Sequence, residues 1–230
     1  MSSEPDQSLL AGGRTTPGVT RIGDTVRRPP SLNSDFVQRL LRYLDAVGLD
    51  CTPRALGRDE DGRDVFGWIE GDVPAQLSPG HADIVLRAAA RLVRRYHDAT
   101  AALLDAPAAR SAGLEVVCHN DLSPCNFVFR SGMPVALIDF DTAAPGTRAS
   151  DIGYAAWLWL DLGNADITPP EQRRRLGIVL DGYGSWPGRA DVVEAILHRQ
   201  GLLVAQGERL GNAGMARWAA GCRAWSRDHL

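Results

Sequence analysis

Hydrophobic positions follow two different rhythms along this chain. Up to residue 28 the apolar pieces are short and broken by glycines: Leu9-Leu10, residues 19–22 and residues 25–28. That pattern predicts a small antiparallel sheet, with a first turn across Gly12-Gly13 to Pro17-Gly18 and a tight hairpin at Gly23-Asp24. Pro29-Pro30 closes the run. Phe36, Val37, Leu40, Leu41, Leu44 and Val47 then recur at helical spacing, with Ser34 placed as N-cap and Gly48 as terminator. Two further β-like pieces, residues 54–57 and 65–69, flank a very polar turn. Residues 71–80, with Pro74 and Pro79, have linker composition.

Beyond the linker the rhythm becomes helical. Ile84, Val85, Ala88, Leu92, Val93 and Tyr96 predict a long amphipathic helix over residues 82–104. Strands are predicted at residues 116–118, 127–129 and 135–138, and helices at 150–160, 168–183, 191–206 and 215–228. Thr168-Pro-Pro-Glu171 has the form of a capping box with proline at the first helical position. A β-rich beginning with one helix, followed by a mostly helical remainder, makes the fold class α+β.

Composition narrows the function. The 230 residues are 44% hydrophobic and 23% charged, with 25 basic against 28 acidic side chains and a net charge of -3. There is no basic excess of the kind duplex nucleic acid demands, so no nucleic-acid partner is expected. Every basic residue is Arg, which excludes a Walker-A lysine and a lysine Schiff base. Cys51, Cys118, Cys125 and Cys222 form no secreted disulfide pattern and no Cys-x-x-Cys pair. Glu4 and Asp6 stand where a signal peptide would be positive, and the longest apolar run, residues 155–160, is too short to span a bilayer. The expectation is a cytoplasmic protein with no membrane partner; oligomeric state is not encoded in any of these features.

The chemistry concentrates in Cys118-His-Asn-Asp-Leu-Ser-Pro-Cys-Asn126, with Asp139-Phe-Asp141 beginning thirteen residues after Asn126. The first run matches the catalytic loop of protein-kinase-like phosphotransferases and the second their metal-binding Asp-Phe motif, with Asn120 where protein kinases carry Arg. Phosphoryl transfer needs a base for the acceptor hydroxyl, oxygen ligands for magnesium, and in-line positioning. Asp121 has the chemistry of the base. Asn126 offers a neutral carbonyl oxygen and Asp139 a carboxylate to the metal, while Asp141, two residues on, falls on the same side if the strand continues. His119 is suited to holding the loop through hydrogen bonds. A turn-capping reading accounts for Asp121 and Asn126 but not for Asp139. A metal-hydrolase reading would use Cys118, His119, Asp121 and Cys125, thiols that magnesium avoids.

On these motifs the chain resembles the aminoglycoside phosphotransferase and choline kinase superfamily, over about residues 8–160. The run from Gly18 to Pro29 resembles a trifolitoxin-immunity-like bacterial subgroup of it. The resemblance implies a two-lobed protein-kinase-like fold, residues 1–72 forming a nucleotide-binding lobe and 73–230 a lobe carrying the catalytic loop, the metal site and a helical acceptor-binding part. It further implies ATP as donor, Mg as cofactor and a small-molecule acceptor. By the same resemblance Gly12 and Gly13 belong to the phosphate-covering loop, Arg27 is the third-strand cation, Gly67, Trp68 and Ile69 form the hinge that reads the base, and Asp151 pins the catalytic loop through backbone amides. Two departures stand out: Arg27 replaces the usual Lys, and the first helix has Asp35 and Asp45 near its ends but no Glu to pair with it. These departures support an alternative, a catalytically silent immunity or regulatory module. From Asp151 onward nine acidic residues balance nine arginines, which favours a neutral, weakly charged or partly anionic acceptor over a polycation.

Overall fold

The structure is a computed structural model that describes residues 7–9, 18–77 and 80–230. The predicted loop glycines Gly12 and Gly13 lie outside the described residues. Strands β1 (Gln7–Leu9), β2 (Thr20–Ile22), β3 (Thr25–Arg28), β4 (Ala55–Arg58) and β5 (Asp64–Gly67) form one antiparallel sheet in the order β1-β2-β3-β5-β4. In the β3–β5 ladder Thr25 faces Gly67 and Arg28 faces Asp64. Side chains alternate across a strand, so Arg28 shares a face with Val26 while Arg27 points the other way.

Helix α1 (Ser34–Ala46) buries Val37, Leu40, Leu41 and Leu44 at the predicted spacing. Its start differs from the prediction. Asn33, not Ser34, stands at the N-cap, and neither side chain caps the helix: Ser34 Oγ bonds the buried Asp64 carboxylate, and Asn33 reaches away to a later loop. Long-range partners took the groups that local capping would have used.

After β5 the chain runs back along the helical part. Asp72 and Phe129 exchange backbone hydrogen bonds of 2.9 and 2.8 Å. The adjoining Gly71 has φ +143, and a Cβ there would strike the Phe129 carbonyl and come within 2.6 Å of Val128. Only glycine fits this approach.

Helix α2 (Asp83–Ala101) continues into a 3₁₀ turn, and the five-residue α3 (Pro107–Ser111), too short to show a period, follows. Two small hairpin-like pairs come next. Strand β6 (Val116–Cys118) pairs with β9 (Ala144–Gly146), and β7 (Phe127–Arg130) with β8 (Met133–Leu137). Strand β9, three residues around Pro145, carried no strand signal in the sequence.

The rest is helical: α4 (Arg148–Leu160), α5 (Pro169–Tyr183), α6 (Arg189–Arg209) and α7 (Ala213–His229). Thr168 precedes α5 in extended conformation without making a side-chain cap, and Glu171 instead pairs with Arg174 at 2.7 Å. Helix α4 buries Ile152, Ala155, Ala156, Trp157, Leu158, Trp159 and Leu160, which makes it the central post of the core. A helix hydrophobic on all sides is one packed on all sides. Among the described residues no helix is long and apolar enough to cross a membrane.

Candidate active site

The loop from β6 to β7 is anchored from beneath. Asp151, fully buried in the first turn of α4, accepts hydrogen bonds from the backbone N–H of His119 at 2.7 Å and of Asn120 at 2.8 Å. His97 of α2 donates its Nε2–H to the same carboxylate at 2.9 Å. The other ring nitrogen of His97 lies 2.7 Å from the Tyr183 hydroxyl of α5, which also accepts from Arg148 at 3.3 Å. Burial alone would push the Asp151 carboxyl pKa up; the hydrogen bond from His97 and its electrostatic attraction, then the neighbouring His119 with its amide, outweigh it and hold the pKa below its ordinary value. For Tyr183 burial prevails, and its hydroxyl is pushed up to about 12.

Above this anchor His119 ties two segments together. Its ring is fully buried, packs 4.6 Å from Phe140 centroid to centroid, and its Nε2 lies 2.9 Å from the Ile138 carbonyl, to which it must donate. The Asn126 carbonyl accepts from Ile138 N–H, and the His119 carbonyl accepts from Thr142 Oγ1. Buried and committed to a carbonyl through Nε2, the His119 ring holds the two segments together.

Asn126 and Asp121 form a pair. The Asn126 amide nitrogen donates to the Asp121 backbone carbonyl at 2.7 Å and to its carboxylate at 2.9 Å. With the NH₂ group used, Asn126 Oδ1 remains as an acceptor. Asn126 and Asp139 both line a cavity of about 300 Å³ between the sheet and the helical part, with Arg28, Gly67, Trp68 and Ile69. Asp139 sits at φ 65, ψ 66, a left-handed conformation that Asp tolerates better than most side chains. Asp141 follows on the next turn, which is held by Asn33: its amide donates to the carbonyls of Asp141 and Ala143 at 2.9 and 3.0 Å.

The cation facing these carboxylates is Arg28. Its Nη1 lies 3.0 Å from Asp139 Oδ1, and its Nη2 bonds Asp141 Oδ2. Arg27, the residue predicted for this place, lies on the opposite face of β3 and pairs with Asp59 at 3.3 Å. The correction is one of strand alternation. Burial raises the Asp141 carboxyl pKa, with Arg28 opposing and Asp139 reinforcing the rise.

An oxygen-only donor set of two carboxylates and one amide carbonyl is what a hard divalent cation such as magnesium selects, so these residues fit that ion. The thiol-based alternative does not assemble. Cys118 Sγ donates to the Thr147 carbonyl, burial drives its pKa up, and the His119 ring is held by Ile138.

At the predicted hinge the Gly67 and Trp68 N–H groups are used on Arg54 and Asp24 carbonyls, which leaves Ile69 as the hinge residue whose N–H has no such partner among the described residues. The Trp68 ring is covered by the Arg21 guanidinium at 4.2 Å and donates its Nε1–H to Glu70.

Several participants were not singled out from the sequence. His97 sits on the buried face of α2 with Tyr96, Val93 and Thr100, a polar residue on an apolar stripe. Tyr154 has its hydroxyl pKa raised by burial and next by the Asp121 charge, and Arg199 lies 4.2 Å over its ring while donating to the Asn120 carbonyl at 3.2 Å. These two border a second groove of about 450 Å³, whose other walls include Asn120, Ser150, Glu194 and His198.

The chain is similar to known proteins. Residues 98–192, which include the anchored loop and the Asp139 turn, match the phosphotransferase enzyme family. The trifolitoxin immunity protein of Rhizobium leguminosarum bv. trifolii is 34% identical over 197 residues, 76% of this chain and 73% of that protein. Among solved structures, a choline/ethanolamine kinase family protein from Mesorhizobium loti superposes with a TM-score of 0.63 at 20% identity, covering 97% of this chain and 87% of the other. An aminoglycoside phosphotransferase of type APH(2")-IIa, solved with streptomycin and ATP, gives 0.60 at 14% identity, with 94% and 93% covered. The structural likenesses speak for the fold and the 34% identity for descent, so that this chain belongs to the aminoglycoside phosphotransferase and choline kinase superfamily.

Proposed function

We propose that the protein transfers the γ-phosphoryl group of ATP to a hydroxyl of a small molecule, in the service of resistance to an antibiotic or toxin, with residues 1–72 and 73–230 as its two working lobes. The observation that carries this reading is the Asn126–Asp121 hydrogen bond. One side chain orients the base and presents its remaining oxygen beside Asp139 in the same cavity.

In this reading Asp121 accepts the proton of the acceptor hydroxyl as that oxygen bonds to the γ-phosphorus; the bond from phosphorus to the β–γ bridging oxygen breaks, and ADP leaves with the electron pair. Magnesium, held by Asn126, Asp139 and Asp141, would offset charge on the phosphate oxygens. Arg28 takes the place first given to Arg27 as the phosphate-facing cation. Gly67, Trp68 and Ile69 border the base, with Ile69 supplying the hinge N–H. The groove beside Tyr154 and Arg199 receives the acceptor. Its charged walls, Asp191 and Glu194 against Arg199, are of mixed sign, which suits a weakly charged molecule.

The test is an ATP-consumption screen over sugar, amino-alcohol, nucleoside, macrolide and peptide acceptors, with Asp121→Asn as control. Turnover with one of them that Asp121→Asn removes supports the reading. A second reading, a kinase-fold immunity module without turnover, is favoured by the name of the 34% identical relative and by the Arg28 pairing. Magnesium-dependent ATP binding with no consumption across the panel would select it.

A further inference from the structure

The Arg28 side chain is 12% exposed, and its two terminal nitrogens hold two different carboxylates, Asp139 and Asp141, each about one-third exposed. A planar guanidinium can engage two carboxylates at once with its forked N–H groups; an ammonium acts as a point charge. The arrangement is built in from both sides. Strand pairing fixes Arg28 opposite Asp64, and Asp64 is itself occupied by Ser34, Gln38 and Arg58. Asn33 fixes the Asp139–Ala143 turn. The carboxylates that suit a divalent cation therefore already carry a positive charge supplied by the protein.

We propose that Arg28 is the resident counter-ion of this carboxylate pair, so that the protein rejects a free divalent cation and admits it only together with a nucleoside triphosphate. A metal ion arriving alone has to draw Asp139 and Asp141 away from Arg28, and brings two positive charges beside a third. A metal–triphosphate complex brings phosphate oxygens that match the same guanidinium fork, and Arg28 moves from carboxylate to phosphate as the metal arrives. The second half of this proposal rests on the nucleotide-binding reading above; the first half does not.

The experiment measures Mn²⁺ binding to the full chain by the loss of the free-ion electron paramagnetic resonance signal, without nucleotide and with the non-hydrolysable analogue AMP-PNP. Wild type is expected to bind Mn²⁺ alone about tenfold or more weakly than in the presence of AMP-PNP. Arg28→Gln is expected to bind Mn²⁺ alone about tenfold more tightly than wild type, and Asp139→Asn added to it to abolish the gain. Equal affinity of wild type and Arg28→Gln for Mn²⁺ alone overturns the proposal. Circular dichroism reports whether Arg28→Gln is folded; if it is not, Arg28→Lys, which engages the pair less fully, is expected to fall on the tighter side of wild type, and an affinity equal to wild type overturns the counter-ion role. No AMP-PNP binding to either protein would refute the nucleotide reading and the coupled entry, while the Mn²⁺-alone comparison still decides what Arg28 does.

Discussion

The two ends of the candidate site are held in opposite ways. Beneath the loop, Asp151 is fully buried and spends its oxygens on two backbone N–H groups and an imidazole, in a network closed by Tyr183 and Arg148. Across the cavity, Asp139 and Asp141 are partly exposed and meet a side chain, Arg28. Backbone amides cannot leave a folded loop, whereas a guanidinium can rotate to another anion. The first end is set once, at folding; the second is a pairing that a ligand can rearrange.

The largest expected effect lies between these ends. Asp121→Asn keeps the shape of the loop but removes the base, and turnover is expected to fall by about 10² to 10⁴ in a coupled ADP-release assay. A variant as fast as wild type would take Asp121 out of the chemistry. Asp151→Ala strikes the buried end. It leaves two amides and an imidazole unpaired, at about 1 to 3 kcal/mol for each, and urea unfolding is expected to show the loss whether or not an acceptor is known.

The pH dependence of that loss has a definite sign. The folded Asp151 pKa is depressed, so its stabilisation is complete above the unfolded carboxyl pKa of about 3.9 and is lost as pH falls through that value toward the folded one. The gap between wild type and Asp151→Ala should therefore narrow below about pH 4. A gap that widens in acid would contradict the assignment.

Smaller effects separate the two arginines. Arg28→Gln is expected to weaken binding of a fluorescent ATP analogue by about tenfold, through loss of a charge-assisted pair. Arg27→Gln, on the far face of β3, removes only a partly exposed pair with Asp59 and should cost little stability, without change in nucleotide affinity. Should the two variants behave in reverse, the cavity-facing cation has been misassigned.

These contrasts also explain what could be read before the structure. The spacing of His119, Asp121, Asn126 and Asp139 is local and period-bound, and the elements that carry these residues were legible with it. Arg28 was legible in principle, since it alternates in step with Val26; the resemblance pointed to its neighbour. His97 and Tyr183 come from α2 and α5, and only folding brings them to the Asp151 and Arg148 end of α4, so no local pattern announced the network. Ser34 and Thr168 show the reverse failure. Both have the chemistry of caps, yet Ser34 is drawn to Asp64, and Thr168 is left as a simple entry to α5. Strand β9 and helix α3 were too short for periodicity to register.

The close approach at Gly71 has a mechanical consequence. The Trp68 N–H is tied to Asp24 in the sheet, while the Glu70 carbonyl is tied to Arg130 and Asp72 to Phe129 in the helical part. Three residues, 68–70, thus span from one body to the other. A tether so short acts as a strap that holds the sheet against the helical part at this edge of the cleft. The first helix and the residues just after it add a second strap on the other side, where the Cys51 carbonyl accepts from the Leu137 N–H at 2.9 Å and the Tyr43 hydroxyl donates to the Ala99 carbonyl at 3.2 Å. A substitution as slight as Gly71→Ala would wedge Phe129 and Val128 away, loosening one strap and moving the wall that Val128 gives to the cavity.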